Sequence, residues 1–263
     1  MGDLRILAVQ TRFALVAAMR SSRVLVFGIV FPIFLLVLFE EVFVRGGNHN
    51  TRVGGHVIST AAYYTAGLAA YAIMLQTFTS LAITVTTQRE TGQLKRLRGT
   101  PMPAWSFIGA YVLRAVVFTV AMVLAVFLIG TLAFNVHLHP AGVLGLAVYV
   151  ALGTIALSAL GLAVTIICKS AETASTVGPF AAVILSFISG VFIPLSALPP
   201  WLADVGKVFP LAHLAAGMQR GLERGATGAG FNGADLGILA GWAVVGFVMA
   251  ARGFRWEPQA NRG

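Results

Sequence analysis

Long apolar runs separated by short polar punctuation divide this chain into six blocks, at about residues 24–44, 61–87, 107–134, 141–168, 173–192 and 234–251. A helix needs roughly 20 apolar residues to cross about 30 Å of hydrocarbon at 1.5 Å per residue. The last block is the shortest, but it carries no charge from Leu236 to Ala251. No block shows the ten-residue apolar–polar alternation of a membrane barrel. Unpaired backbone amides are so costly in lipid that continuous runs of this length must be helical. The pattern predicts an all-α polytopic membrane protein with six transmembrane helices in a single domain over 24–263, preceded by a separate helix over 1–23.

Composition agrees: 58% of residues are hydrophobic and 10% charged, with mean hydropathy +0.87, outside the range of soluble domains. Orientation follows from Lys and Arg, which cytoplasmic loops retain. Arg5, Arg12, Arg20 and Arg23 precede the first block; Arg89, Lys95, Arg96 and Arg98 follow the second; Lys169 follows the fourth; and Arg252, Arg255 and Arg262 follow the sixth. These twelve face five on the other side: Arg45, Arg52, Lys207, Arg220 and Arg224. Both termini are therefore expected in the cytoplasm. Arg114, inside the third block, is expected to snorkel toward the headgroups. The formal charge of +9 sits beside the blocks, where anionic lipid is the natural counter-charge, so membrane lipids and no nucleic acid are the expected partners. The first block is expected to serve as insertion signal, since no short apolar core with a small-residue cleavage site precedes it.

The N-terminal segment has its own pattern. At about 100° per residue, Arg5, Arg12, Arg20 and Arg23 fall within an arc of about 80°, with Leu4, Leu7, Leu15 and Ala18 opposite. Residues 1–23 thus read as an amphipathic helix on the cytoplasmic interface. Candidate chemistry is sparse. Cys168 is the single cysteine, excluding an intramolecular disulfide. The pair His137 and His139 supplies only two ligands from one turn, too few for a metal centre. Glu40 and Glu41 are expected to cap the outer end of the first block. Gln76, Thr77, Thr79, Ser80, Thr84, Ser158 and Ser186 lie inside blocks, where they read first as interhelical hydrogen bonds. No G-x-x-x-x-G-K-[ST] run is present, so no catalytic, metal or cofactor-binding residue is expected, and any ATP and Mg chemistry belongs to another polypeptide.

Two stretches stand apart. The loop 88–106 opens with QRETGQLKRLRGTPMP, in which Leu94 and Leu97 share one helical face among basic neighbours. Its one acid, Glu90, has three candidate partners: Arg98, the N-terminal arginines or a soluble protein. The segment 193–216 is too apolar for an exposed linker and too broken by proline to span. It is expected either to re-enter the outer leaflet or to lie on the outer surface.

Both stretches carry a resemblance. Arg89-Glu90-Thr91-Gly92, Leu94-Lys95-Arg96-Leu97-Arg98 and Thr100-Pro101, following a block that opens Tyr63-Tyr64-Thr65-Ala66-Gly67-Leu68, resemble the ABC type-2 exporter permeases, among them the daunorubicin-resistance-like drug and lipid exporters. Ser189-Gly190-Val191-Phe192-Ile193-Pro194, Leu198-Pro199-Pro200-Trp201-Leu202 and Phe209-Pro210-Leu211 look like a second series of the same family, and Phe31-Pro32 fits as well. The resemblance implies a half-transporter that pairs with a second copy or a paralogue and docks a separate ABC ATPase. It assigns ATPase coupling to Arg89, Glu90, Gly92, Leu94, Lys95, Leu97, Arg98 and Lys169. It assigns an outer re-entrant gate to Phe192, Pro194, Leu198, Pro199, Trp201, Leu202, Phe209 and Pro210. The expected function is export of an amphipathic drug-like, lipid or glycolipid substrate across a prokaryotic cytoplasmic membrane. A membrane-embedded enzyme or assembly factor would need convergent polar residues, and a secondary transporter would need intramembrane carboxylates.

Overall fold

The computed structural model describes residues 2–44, 50–53, 56–98, 104–168, 170–222 and 230–253. Among them, six helices are long and apolar enough to cross a membrane: spans 1 to 6 at Val26–Val44, Thr60–Glu90, Ile108–Phe134, Pro140–Val164, Ala171–Ile188 and Gly233–Gly253. The all-α polytopic expectation holds. Boundaries shift where helix and apolar run part company. Span 2 continues to Glu90 because Thr86 and Arg89 are polar but buried inside the protein. Span 4 stops at Val164 and turns through Thr165, Ile166 and Ile167. One short antiparallel hairpin, which the apolar pattern did not predict, pairs Asn50↔Ser59 through Val53↔His56 between spans 1 and 2.

Span 2 is the axis of the bundle. Every residue of Thr60–Met74 is buried, and alanine and glycine dominate this stretch because only small side chains let backbones approach without aqueous hydrophobic driving force. A Cβ on Gly67 would stand 2.9 Å from the Val191 carbonyl oxygen, and one on Gly161 of span 4 would stand 2.7 Å from the Phe78 carbonyl oxygen. Span 6 lies along span 4 and touches it at Gly246, whose added Cβ would meet the Leu160 nitrogen at 2.8 Å. Spans 1 and 2 each contain a π-helical turn, at Val26–Val30 and Leu75–Thr79. Such turns release a carbonyl from the regular ladder, and Gln76 Nε2 donates to the Gly28 carbonyl at 2.7 Å.

The N-terminal helix, Gly2–Met19, lies along span 3. Thr11, Ala14 and Ala18 are buried, while Arg5, Arg12 and Arg20 are exposed. Leu7 and Leu15 are half-buried on the side facing span 3, while Val9, Phe13 and Met19 remain exposed beside the arginines. Arg23's side chain lies outside the described residues. Arg114 is the clearer correction. It is 6% exposed and donates to Ser80 Oγ at 2.8 Å and Thr84 Oγ1 at 3.2 Å. Two span 2 hydroxyls one helical turn apart hold it inside the bundle, where snorkelling would leave them facing nothing. Glu40 is likewise not an exposed cap. It is fully buried and accepts from Thr65 Oγ1 at 3.4 Å.

Candidate functional site

The end of the bundle that carries the N-terminal helix and the 88–98 segment is here called the basic end, and the opposite one the far end. A cavity of about 860 Å³ opens between spans 1, 2 and 5. It runs from Tyr71, Leu75 and Phe31 at mid-bundle to Thr87, Ala171 and Glu172 at the basic end. Its walls combine Phe27, Phe31, Tyr71, Ile83 and Val183 with the hydroxyls of Thr79, Ser80, Thr84, Ser175 and Thr176 and the amide of Gln76. Such a lining solvates apolar bodies and also offers hydrogen bonds, the usual make-up of a site for a molecule with both kinds of surface. Span 5 has the lowest mean hydropathy of the six, 1.4, yet only 22% of it is buried. Its uncovered side is polar only near its start, at Glu172, Thr173 and Thr176, and apolar beyond, at Val177, Phe180, Val183, Ile184 and Phe187.

At the basic end, span 2 turns at Gly92, whose φ of +71° suits glycine, into a short helix, Gln93–Arg98. Leu94 is fully buried and Lys95 exposed; the side chains of Leu97 and Arg98, together with Lys169 and 99–103, lie outside the described residues. Of the two residues before Thr91, Arg89 points inward and Glu90 lies at the surface. Arg89 is 2% exposed and donates to the Thr165 carbonyl at 2.7 Å and to the Cys168 carbonyl. Thr165 is the C-cap of span 4 and Cys168 follows in the turn beyond it, so the guanidinium sits beside a helix end that carries partial negative charge. Glu90 Oε2 accepts from the Ala171 amide at 2.6 Å, the start of span 5, where helix amides are unpaired and partial charge is positive. Ser170 caps the same end by accepting from the Thr173 amide at 3.1 Å. Arg89 therefore presents no guanidinium to the surface, and Glu90's described partner is the chain's own backbone.

At the far end, the two quoted motif stretches meet. Gly190, at φ +74°, ends span 5 with a carbonyl that accepts from Tyr63 Oη at 2.6 Å and Gln219 Nε2 at 3.2 Å. Phe192 is buried among Phe39, Tyr71 and Phe187, with ring centroids 5.5, 5.3 and 5.1 Å away. Short helices follow at Leu195–Ala197, Pro200–Gly206 and Pro210–Arg220. The last is packed between spans 2 and 4, with Pro210 and Leu211 buried. Pro194, Leu198, Leu202 and Phe209 are half-buried and Pro199 exposed. Trp201 is 68% exposed. Gly206 packs against the Ile188 carbonyl, so closely that a Cβ would fall 1.8 Å from it.

A second far-end cluster escaped the sequence reading. Arg220 and His213, on Pro210–Arg220, converge on Asp235 in the first turn of span 6. His213 Nε2 faces the Lys207 carbonyl at 2.6 Å. Both ring nitrogens thus face acceptors, which only the imidazolium satisfies. The Asp235 hydrogen bond raises the His213 pKa above its ordinary 6.5 against the opposing effect of burial. Tyr149 Oη accepts from Arg220 at 3.3 Å and from the Asn232 amide at 3.0 Å. The available signal was a lone acid opening an otherwise uncharged span, with a histidine and an arginine seven residues apart just before it.

Residues 6–222 match the model of the ABC-2 type transporter family. The chain belongs to this family. The match takes in spans 1 to 5, the basic-end turn and the far-end helices, and stops before span 6. The chain is also similar to the protein named "Putative transport permease YvfS" of Bacillus subtilis (strain 168), at 22% identity over 199 residues, 76% of this chain and 78% of that one. ABC-2 membership makes the chain the membrane-spanning subunit of an ABC transporter, a transport subunit and not an enzyme, and implies an ABC ATPase partner in general. Within that frame the Arg-Glu-x-Gly and Ser-Gly-x-Phe-x-Pro stretches have visible structural work: each joins helix ends that are distant in sequence.

Proposed function

We propose that this ABC-2 permease exports an amphipathic, drug-like or lipid-like molecule across a prokaryotic cytoplasmic membrane, as a dimer driven by a separate ATPase. The cavity between spans 1, 2 and 5 carries this reading. It mixes aromatic faces with hydroxyls, reaches from mid-bundle to the basic end, and is bounded by the span of lowest mean hydropathy among the six. A second copy against spans 1 and 5 would convert that open side into an enclosed path. The Lys/Arg asymmetry puts both termini and Gln93–Arg98 in the cytoplasm, where the ATPase would dock on the exposed basic surface around Lys95.

The test is ATP-dependent uptake of a fluorescent amphiphile into inside-out vesicles holding the permease with its ATPase. Uptake should occur, and Ser175→Trp, which fills the cavity, should abolish it while ATP hydrolysis continues. Uptake that is absent, or undiminished in Ser175→Trp, overturns the cavity reading. An impermeant maleimide should reach Lys95→Cys only from the cytoplasmic side; ready labelling of intact cells would reverse the orientation.

A further inference from the structure

Arg89 and Glu90 are consecutive, yet they hold the end of one helix and the start of another. The signs suit both attachments, a cation beside the C-terminal end of span 4 and an anion on span 5's first amide. Only Thr91 and Gly92 separate this pair from the Gln93–Arg98 helix. A second attachment lies two turns deeper, where Thr79 Oγ1 donates to the Gly178 carbonyl at 3.3 Å. Immediately after it comes Pro179, inside span 5 and on the cavity wall. Proline withholds one ladder hydrogen bond and is the usual place for a helix to bend. The first two turns of span 5 are therefore tied to span 2 at both ends, and the proline follows where the ties stop.

We propose that Arg89 and Glu90 are positioning residues forming a clamp. They make the basic ends of spans 2, 4 and 5 move as one piece, so that displacement of the Gln93–Arg98 helix is delivered to the span 5 wall of the cavity, with Pro179 as the point of flexure. This rests on the reading of the chain as a permease driven by a separate ATPase. Glu90 acts here through the backbone of span 5 and not by contact with substrate or with the ATPase.

The test separates those roles by using Glu90→Gln beside Glu90→Ala. Glutamine keeps an acceptor oxygen for the Ala171 amide but loses the charge that a cation on an ATPase would need. In the purified full-length permease in nanodiscs, with Cys168→Ser, spin labels at Thr91→Cys and Thr176→Cys report the distance across the clamp. One narrow distribution is expected for the parent and for Glu90→Gln, and a broadened one for Glu90→Ala. With the ATPase added, Glu90→Ala should keep hydrolysing ATP while transport per ATP falls about tenfold, the size of one lost hydrogen bond; Glu90→Gln, which keeps the acceptor, should stay near the parent. Equal transport losses in both variants with unchanged distances would overturn the clamp in favour of direct docking, and so would unchanged distances with unchanged transport. The distance measurement needs no ATPase, so a parent that never couples to one would count against the proposed function alone.

Discussion

The two ends of this bundle are both tied by small polar knots, but the knots use opposite chemistry. At the basic end, Arg89 and Glu90 each satisfy neutral backbone groups at helix termini. At the far end, Arg220, His213 and Asp235 satisfy one another, with Tyr149 as a neutral fourth member. A knot of charges on helix dipoles survives as long as the helix ends stay in place, and its charges are separately compensated. A knot of mutually paired charges fails as a unit, because removing one member leaves the others desolvated without compensation. The far-end knot also contains a histidine whose pKa Asp235 raises; among the described residues, the basic-end contacts of Arg89 and Glu90 involve backbone groups.

The largest effect should come from Asp235→Ala. It strands Arg220 and His213 together in a half-buried site, and a loss of about 3–5 kcal/mol is expected for breaking such a pair, read as a lowered unfolding midpoint in lipid nanodiscs. A variant as stable as the parent would show that the far-end charges are solvated and not a knot.

Next in size is the response to pH. The folded pKa of His213 is raised, chiefly by Asp235, with the Lys207 carbonyl adding to this and burial and Arg220 opposing it. The stabilisation it provides is complete below the ordinary value of about 6.5 and disappears as pH climbs through the raised folded value. The parent's unfolding midpoint should therefore fall as pH is taken up from 6.5, and His213→Gln should flatten that slope. A slope that survives in His213→Gln would assign the titration elsewhere.

The smallest effect should be at Trp201. With 68% of its surface exposed, Trp201→Ala should change stability by no more than about 0.5 kcal/mol in the same melts. A loss in the range of a buried aromatic would place it against the spans after all and extend the far-end knot outward.

Much of this architecture was readable along the chain, for identifiable reasons. The six spans follow from apolar length alone, and the motif stretches 63–68, 89–92 and 189–194 coincide with joints between helices distant in sequence. What the chain did not disclose was direction. Arg89 and Arg114 look alike in sequence to Lys95, an exposed cation, because hydropathy records a charge without saying whether buried carbonyls or hydroxyls await it. Ser80 and Thr84 were noticed as polar span residues, but their pairing with Arg114 depends on how spans 2 and 3 are rotated. Trp201 and Gly206 show the converse: the family pattern picks out the aromatic residue, while the glycine makes the close contact. The knot of His213, Arg220 and Asp235 was missed because its members belong to two elements, one of which was read only as a broken loop.

The burial of span 2 bears on how the protein is made. Its window is 72% covered, against 17–44% for the others, and its neighbours in span 3, span 4 and the Pro210–Arg220 helix are all translated after it. When span 2 leaves the ribosome, two of its polar side chains already have partners on span 1: Gln76 reaches the Gly28 carbonyl and Thr65 reaches Glu40. Thr77 Oγ1 donates within span 2 itself, to the Ile73 carbonyl. The first two spans can therefore pair as a polar-fastened hairpin. Thr79, whose acceptor is the Gly178 carbonyl of span 5, meets its partner only once the second half of the chain is made. Assembly of this bundle is a late, collective event, even though its axis is among the first segments synthesised.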